Sequence, residues 1–377
     1  MGETPVQNLR PTLVEIDLAS FGHNFRAMQE KAGGAGILSI VKSNAYGHGI
    51  ERISRESIKL GAKILGVVSI EEGIFLRQRG ISAPILVLGS IFPLSNFSYV
   101  IEYGLRPAIC SMVAAKMLSA MAEKKKKKIP VHIKIDTGMG RIGVHHKNAA
   151  SFIREVASLE GIKTEGMFSH LAASDIDREF TLRQVARFSD IAKELEEDGI
   201  DVPYKHIANS TAVLNYPEAR FNLVRPGIAL YGLAPFAGAG DMIDLAPVLK
   251  LETKIVYLKK VLKETSVSYG RTWKAKRDSF IATLPIGYAD GYSRRLSNRG
   301  RALVKGKKVP VVGRVCMDMT LIDVTGIEGV NVGDEVVLIG EQGKERITVE
   351  DIASKTGTIS YEVVCGISSR VPRVYKR

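Results

Sequence analysis

The sequence predicts an α/β protein, a (β/α)8 barrel followed by a C-terminal all-β domain. First, short apolar segments alternate with amphipathic helical patterns as far as about residue 245. Second, eight such strand–helix units in roughly 200–250 residues is the size of a (β/α)8 barrel. Third, the later residues alternate apolar and polar side chains, with Gly and Pro at the breaks, which indicates strands. A doubly wound sheet remains an alternative for the first region, because strand–helix alternation alone does not separate the two folds.

An extended segment at 12–17 and a helix near 20–31 precede the repeated units. The predicted strands of these units are 37–41, 64–69, 85–88, 106–109, 131–135, 164–168, 205–208 and 222–224. The clearest helices between them are 50–60, 112–123, 149–159 and 178–197. The later β segments are 248–261, 280–284, 309–323, 332–339 and 346–349, with one short helix at 349–356. We therefore predict a barrel domain at 12–243 and a β-domain at 244–377, with which residues 1–11 would pack.

The composition is that of a soluble globular protein, with 377 residues of which 45% are hydrophobic and 25% are charged. No apolar run is long enough to span a membrane, and the first residues lack the apolar core of a secretory signal. The three cysteines lie far apart in the chain, so neither a disulfide framework nor a zinc site is indicated. We expect a cytoplasmic protein without a metal site and without a membrane partner.

The formal net charge is +13, and the excess is spread along the chain. The single basic block is the run of lysines at 124–128, between a predicted helix and a predicted strand. A solvated loop explains this run, and no nucleic-acid-binding module accompanies it. We expect the positive field to attract anionic small molecules rather than nucleic acid.

Polar side chains follow several of the predicted strands at the point where each strand ends. They are Lys42, Asp136, His170, Asn209, Ser210 and Arg225. In a barrel, the carboxyl ends of the strands form one rim, and active sites are built there. Taken singly, His170 could be a hydrogen-bonded core histidine and Asp136 a turn cap, but together these residues predict a site.

Lys42 comes directly after a buried strand and before a Ser-Asn-Ala-Tyr-Gly turn. Burial disfavours a charged amine and lowers its pKa, and a neutral amine forms Schiff bases with carbonyl compounds. The alternative is a lysine that extends its charged end to solvent at the edge of the sheet.

Residues 138–143 match the pattern G-x-G-x-x-G after a predicted strand. In a dinucleotide site these glycines open a helix directly, whereas here Arg141 lies inside the motif and His145 and His146 follow it. We interpret the glycines as a tight loop that directs Arg141 toward the rim.

The segment 222–232 places Arg225 at the last strand end, followed by Pro226 and the backbone N–H groups of Gly227 and Ile228. Backbone amides in the final loops of a barrel commonly bind phosphate. A reactive lysine, an arginine and a phosphate site together suggest a phosphorylated aldehyde, of which pyridoxal 5′-phosphate is the obvious candidate.

Five motifs resemble those of bacterial alanine racemases, which are pyridoxal-phosphate enzymes of fold type III. They are VKSNAYGHG at 41–49, DTGMGRIG at 136–143, SVSYG at 266–270, GRVCMD at 313–318 and ISYE at 359–362. They occur in the family's order along nearly the whole chain. The resemblance implies a (β/α)8 barrel with a C-terminal β-domain, an isomerase that interconverts L-alanine and D-alanine, and a head-to-tail homodimer with shared active sites. The resemblance implies that the enzyme supplies D-alanine for peptidoglycan, although the sequence does not separate this biosynthetic role from a catabolic one.

The resemblance also assigns the two bases of the reaction. Lys42 would be the Schiff-base lysine and the base that acts on D-alanine. Tyr269 of the other subunit would be the base that acts on L-alanine. A phenol has a pKa near 10, so Tyr269 needs nearby cations to lower it. Arg225 would face the pyridine nitrogen, with His206 behind it.

Further residues take their roles from the same resemblance. The phosphate ligands would be Tyr46, Ser210, Gly227, Ile228 and Tyr361; His170 and Asn209 would pack against the ring. Arg141 and the backbone N–H of Met317 would hold the substrate carboxylate. Lys134 resembles a lysine that is carbamylated in many members and anchors this arginine, the alternative being an ordinary strand lysine. Asp175, Tyr288, Arg294 and Arg314 would narrow the access passage.

Other readings of the same pattern are a racemase of broader specificity, acting on serine or lysine, and a fold-type III decarboxylase. Decarboxylases of that fold usually pair the pyridine nitrogen with a carboxylate, so Arg225 argues against the second. A non-catalytic carrier of pyridoxal phosphate would need only the barrel, and the β-domain that carries Tyr269 argues against it.

Overall fold

The computed structural model describes residues 9–377, which fall into two compact units. The barrel unit comprises Gly22–Ala45 and Gly49–Ala246. The β unit comprises Tyr46–His48, Pro247–Arg377 and the described part of Met1–Phe21. The prediction for residues 1–11 lies mostly outside the described residues; Arg10, which is described, pairs with Asp290 of the β unit.

The first strand, β1 (Leu13–Asp17), belongs to the β unit, and the next nine strands form one sheet in the barrel unit. They are β2 (Gly36–Ile40), β3 (Ile64–Val67), β4 (Ile85–Val87), β5 (Arg106–Ile109), β6 (Ile129–Asp136), β7 (Val144–His145), β8 (Ile162–Phe168), β9 (Tyr204–His206) and β10 (Leu223–Val224).

The order of this sheet is β10-β2-β3-β4-β5-β6-β8-β9, with β7 beside β6, and all neighbours are parallel. At its open edge, the backbone N–H of Arg225 donates to the carbonyl of Ala208 at 2.9 Å. The side-chain oxygen of Asn222 accepts from the N–H of Lys205 at 2.8 Å. These bonds join the segments at β10 and β9, so the eight main strands form a nearly closed barrel. The predicted barrel is confirmed, and the doubly wound alternative is excluded.

Helices connect the strands of the barrel unit. They are α1 (Leu18–Lys31), α2 (Lys42–Tyr46), α3 (Ile50–Lys59), α4 (Ile70–Gln78), α5 (Phe97–Glu102), α6 (Met112–Lys124), α7 (Ala149–Ala157), α8 (Arg178–Glu197) and α9 (Ser210–Asn215). Of these, α2 is a single turn whose backbone is left-handed rather than α-helical. Side chains that accept from the first turn begin several of them, including Ser69 at α4, Ser111 at α6 and Asp177 at α8. The lysine run at 124–128 is exposed between α6 and β6, as expected for a solvated loop.

The β unit contains eleven further strands and two helices. The strands are β11 (Leu249–Lys254), β12 (Tyr257–Val261), β13 (Ser266–Val267), β14 (Trp273–Lys274), β15 (Ser279–Leu284), β16 (Arg301–Val304), β17 (Lys307–Pro310), β18 (Thr320–Asp323), β19 (Glu335–Gln342), β20 (Glu345–Ile347) and β21 (Arg373–Lys376). The helices are α10 (Val349–Thr356) and α11 (Ser360–Cys365). The sheets have the orders β17-β16-β19-β11-β1-β21, β12-β15-β18 and β13-β14, with β20 beside β19.

Strand β1 corrects the prediction that the barrel domain starts at residue 12. It pairs antiparallel with β11 and parallel with β21, so its partners lie at the far end of the sequence. Its alternating burial, with Val14 and Ile16 fully buried, fits a strand that has one face on a core. The predicted division at residues 243 and 244 stays a prediction.

Candidate active site

Lys42 begins a turn of unusual backbone geometry at the end of β2. The four residues that follow, Ser43 to Tyr46, have φ angles of 54°, 53°, 53° and 51°, which is the left-handed region. This conformation costs roughly 1–2 kcal/mol per residue for L-amino acids, so other contacts must stabilise it. Strain of this kind is concentrated at functional sites, where it fixes a side chain in one direction.

Two polar side chains stabilise this turn in the barrel unit. The carboxylate of Glu72 accepts from the backbone N–H of Ser43 at 2.6 Å and from that of Val68 at 2.9 Å. The side-chain oxygen of Asn44 accepts from the N–H of Ile50 at 2.9 Å, where α3 begins. Sequence reasoning did not single out Glu72, because its role is visible only once β2 and β3 lie side by side.

Arg225 is buried directly after β10, and its guanidinium is anchored by backbone oxygens. Its Nη atoms donate to the carbonyls of Ser169 and His206, both at 2.7 Å, and of Ile207 at 3.1 Å. They also donate to Nδ1 of His206 at 3.1 Å and of His170 at 3.3 Å. Burial lowers the pKa of Arg225 to about 9, so the side chain remains a cation at neutral pH. Its Nε–H has no acceptor within residues 9–377.

Lys134 lies inside the barrel on β6 and is 3% exposed. Its Nζ lies 4.5 Å from the centre of the Phe168 ring. Burial, together with the charges of Arg225 and Arg141, lowers the pKa of Lys134 well below its usual value. The lowered pKa favours the neutral form of this amine, which is the nucleophilic form.

Arg141 lies in the loop that follows β6. The carboxylate of Asp136 accepts from the backbone N–H groups of Gly138 at 2.9 Å and Gly140 at 3.1 Å and closes this loop. Both glycines have positive φ angles, 142° and 69°. At Gly143 a Cβ atom would lie 2.6 Å from the backbone nitrogen of Asp136. No helix begins here, since β7 follows, so the geometry favours the tight-loop interpretation over a dinucleotide site.

Ser210, Gly227 and Ile228 gather where α9 begins. The hydroxyl oxygen of Ser210 accepts from the N–H of Gly227 at 2.9 Å and from that of Ala229 at 3.4 Å. Asn209 caps α9 by accepting from the N–H of Ala212 at 2.9 Å. Ile228 begins a short 3-10 helix, Ile228–Tyr231. Hydroxyl and amide donors of two chain segments thus lie together.

His170 is held neutral beside these groups. Burial, with the positive charges of Arg225 and Lys134, lowers the pKa of His170 well below its usual value. Since Arg225 donates to its Nδ1, the proton of the neutral ring belongs on Nε2. The ring therefore adds no charge to a rim that already carries Lys42, Arg141 and Arg225.

In the β unit, Tyr269 stands on a tight turn and 73% of its surface is exposed. The preceding residue, Ser268, has a φ of 64°, and its hydroxyl donates to the carbonyl of Arg314 at 2.7 Å. A Cβ at Gly313 would lie 2.6 Å from Cβ of Ser268, so the two segments are in close contact. An exposed aromatic side chain on a fixed backbone is free to enter another site.

Met317 is also exposed, at 53%, in the irregular segment between β17 and β18. The N–H groups of Tyr288 and Ala289 donate to the carbonyls of Cys316 and Met317, both at 3.0 Å. Next to it, the carboxylate of Asp318 accepts from Arg370 at 2.7 Å. Met317, predicted to bind the substrate, and Tyr288, predicted to narrow the access passage, thus lie on segments that are joined by backbone bonds.

Tyr46 and Tyr361 lie together in the β unit, with ring centres 5.9 Å apart. Tyr361 is on α11, a helix that sequence reasoning did not predict. Burial raises the pKa of Tyr46, so its hydroxyl stays protonated and can donate a hydrogen bond.

Each site residue predicted from the sequence therefore has a defined place in one of the two units. The barrel unit carries Lys42, Lys134, Arg141, His170, Asn209, Ser210, Arg225, Gly227 and Ile228; the β unit carries Tyr46, Tyr269, Met317 and Tyr361. Of the predicted passage residues, Asp175, Tyr288 and Arg294 are exposed and Arg314 is half-buried.

The described residues contain neither a candidate metal site nor a helix that could span a membrane. Within residues 9–377 no group of three or more His, Cys, Asp or Glu side chains could hold a metal ion. In the same range, no helix has both the length and the apolar character needed to cross a membrane.

The buried histidines make a prediction about stability. Burial is the main reason that the pKa values of His132 and His206 are below 6.5 in the folded protein. Below about pH 6.5 the unfolded chain binds protons that the folded chain does not, so acid favours unfolding. From about pH 7 to about pH 5 the free energy of unfolding should fall by up to roughly 2 kcal/mol per buried histidine.

Urea unfolding at fixed protein concentration measures this fall. His206→Asn should flatten the pH dependence, whereas His23→Gln should leave it unchanged, since the side chain of His23 is 47% exposed. A free energy of unfolding that is constant across this pH range would contradict the prediction.

Comparison with known proteins identifies the family. The alanine racemase N-terminal domain profile matches residues 16–235, and the alanine racemase C-terminal domain profile matches residues 248–375. Alanine racemase 2 of Caldanaerobacter subterraneus subsp. tengcongensis is 49% identical over 370 residues, covering 97% of this chain and 95% of that protein. The solved alanine racemase of Clostridium difficile 630 has a TM-score of 0.92 at 38% identity, covering 97% of this chain and 96% of the other. The alanine racemase of Bacillus anthracis, solved with bound L-Ala-P, has a TM-score of 0.91 at 36% identity, covering 98% of this chain and 95% of the other. The chain belongs to the alanine racemase family.

Proposed function

We propose that this chain interconverts L-alanine and D-alanine, with Lys42 and Tyr269 as the two bases. Family membership supports the activity, and the geometry supports the residues. The observation that carries the assignment is the rim of the barrel unit, where Lys42, Arg141 and Arg225 gather around neutral histidines. Such a site suits an anionic cofactor and a substrate carboxylate.

The site fits pyridoxal 5′-phosphate. The Nη atoms of Arg225 are used by the protein, while its Nε–H lacks an acceptor among residues 9–377, which suits an unprotonated ring nitrogen. Phosphate would be bound by the hydroxyls of Tyr46, Ser210 and Tyr361 and the N–H groups of Gly227 and Ile228. His170 and Asn209 would pack against the ring, and Lys42 would hold the cofactor covalently. When bound, this cofactor supplies an electron sink that makes the α-hydrogen of an amino acid acidic.

The protein's own part in the reaction is proton transfer at Cα. Racemisation removes a proton from one face of Cα and returns one to the opposite face, so one base on each side is needed. The amine of Lys42 would act on D-alanine and the hydroxyl of Tyr269 on L-alanine. Arg141 and the backbone N–H of Met317 would hold the carboxylate so that Cα lies between the two bases.

Exposure of Tyr269 and Met317 supports a homodimer with shared sites. Both side chains are more than half exposed in the single chain, and a reactive phenol needs nearby cations to favour its ionised form. A second copy of the chain would supply those cations. We also propose that the protein is cytoplasmic and that it supplies D-alanine for peptidoglycan.

Hydrogen exchange tests the activity. In D2O with pyridoxal phosphate, the protein should replace the α-hydrogen of L-alanine by deuterium and abolish optical rotation. Lys42→Arg should lose both effects, because an arginine neither attaches the cofactor nor gives up a proton at neutral pH. Lys259→Arg, on β12, is the matched control. Release of CO2 would indicate a decarboxylase instead, and faster turnover of serine or lysine would indicate a racemase of broader specificity.

Tyr269→Phe tests the second base, because it removes only the hydroxyl. Racemisation should fall by roughly 10²–10⁴-fold, the usual contribution of a general acid or base. Exchange from L-alanine should be lost, while D-alanine should still exchange with retained configuration through Lys42. Tyr257→Phe, at a tyrosine that is 57% exposed, serves as the control. Unchanged racemisation in the Tyr269 variant would remove the assignment.

Lys134 is proposed to be carbamylated, so that its negative end anchors Arg141. The neutral Nζ would attack CO2, form an N–C bond and release one proton. With ¹³C-labelled bicarbonate, a carbamate signal should appear in the NMR spectrum of the protein and be missing in Lys134→Met. Lys205→Met, at a lysine whose side chain is 19% exposed, should keep the signal. A wild-type spectrum without the signal would leave Lys134 as an unmodified lysine.

A further inference from the structure

A chain of four side chains crosses the inside of the barrel unit. An Nη atom of Arg225 lies 3.1 Å from Nδ1 of His206, and Nε2 of His206 lies 2.8 Å from Nδ1 of His132. Nε2 of His132 lies 3.4 Å from Oε2 of Glu165. We call Arg225, His206, His132 and Glu165 the histidine relay. Sequence analysis singled out only its first two members.

The two ends of the histidine relay fix where the protons lie. Arginine can only donate, so Nδ1 of His206 must accept, and the proton of this neutral ring is on Nε2. That Nε2–H donates to His132, whose own proton is therefore also on Nε2. The last N–H faces the carboxylate of Glu165, which can only accept. One direction of donation, from Arg225 toward Glu165, is consistent with all three contacts; the last, at 3.4 Å, is a charge–dipole contact that does not meet hydrogen-bond geometry.

The backbone near His132 accommodates its ring inside the barrel unit. His132 and His206 are 0% exposed, and the ring of His206 stacks on Phe168 at 5.0 Å with a 3° interplanar angle. Opposite His132 on β8 stands Gly166, where a Cβ atom would lie 2.5 Å from Nδ1 of His132. The β6–β8 register also shifts between Val131 and His132. Irregularities of this kind re-aim side chains.

Glu165 is a permanent anion at the far end. Its carboxylate accepts from Nε and an Nη atom of Arg106, in the two-pronged arrangement that arginine forms with carboxylates. Burial by itself would raise the pKa of Glu165, but the nearby His132 and Arg106 outweigh burial and hold the pKa at about 2. The side chains of Glu165 and Arg106 are 13% and 19% exposed, so solvent screens this charge little.

We propose that Glu165 is a positioning residue that orients Arg225 through His132 and His206. The carboxylate holds both histidines in the tautomer with the proton on Nε2, which leaves Nδ1 of His206 as an acceptor for Arg225. With the opposite tautomer, an N–H of His206 would face an N–H of Arg225, and the guanidinium would lose this anchor. The role of the Arg225 Nε–H as a donor to the ring nitrogen of pyridoxal phosphate rests on the proposed function. The direction of donation along the histidine relay does not depend on that function.

Solid-state NMR of microcrystalline protein with ¹⁵N-labelled histidine tests the relay. The chain has only seven histidines, and His132 and His206 can be assigned by substitution. In the wild type, both rings should be neutral with a protonated Nε2 and an unprotonated Nδ1. A proton on Nδ1 of either ring would overturn the proposal.

Glu165→Gln tests the role of the carboxylate. A glutamine has one acceptor oxygen where the glutamate has two. Its amide N–H2 group must therefore face an N–H donor of either Arg106 or His132. The Nε2–H signals of His132 and His206 should split or shift toward the other tautomer, and the absorption band of bound pyridoxal phosphate should move. Glu165→Asp, which retains the carboxylate, should keep both tautomers. Asp198→Asn, which breaks an exposed pair with Arg154, should leave all signals unchanged.

Unchanged histidine tautomers in Glu165→Gln would overturn the proposal even if its activity fell. If Glu165→Gln does not fold, the wild-type tautomers and those of Glu165→Asp decide. The NMR measurement needs no cofactor or substrate, so a protein that fails to racemise alanine would contradict the proposed function without deciding the relay.

Discussion

A buried guanidinium governs the chemistry of the barrel unit. Arg225 has lost its water, and a charge inside a protein persists only where fixed dipoles replace the solvent. The carbonyl groups of Ser169, His206 and Ile207 do so, because two chain segments bring their oxygens to one point. Burial is the main reason that the neighbouring histidines are neutral and that the pKa of Lys134 is lowered, and the retained charge of Arg225 strengthens both effects.

The loops of the rim are stabilised by acidic side chains that bond to the backbone rather than to ligands. Asp136 closes the loop that carries Arg141, and Glu72 holds the left-handed turn after Lys42. The same contacts supply the energy that the strained turn requires.

The β unit holds its proposed site residues in a different way. Tyr269 and Met317 are exposed, and their backbone is fixed by bonds from Ser268, Tyr288 and Ala289 to neighbouring segments. A rigid backbone with an exposed side chain loses little conformational entropy when the side chain enters a site. Under the proposed function, this arrangement suits a residue that is contributed to another protomer.

Local patterns in the sequence determined the helices with strong caps and periodicity, and the motifs around Lys42. Helix α8 was predicted at its observed bounds, because Asp177 caps it and apolar residues recur at helical spacing. Only the tertiary structure decided that β1 joins the C-terminal strands and that His132 meets His206, 74 residues away. The backbone conformation that a residue prefers depends on its neighbours in the chain, so it can be predicted from the sequence. The partner of a side chain is fixed only when barrel closure brings distant strands together.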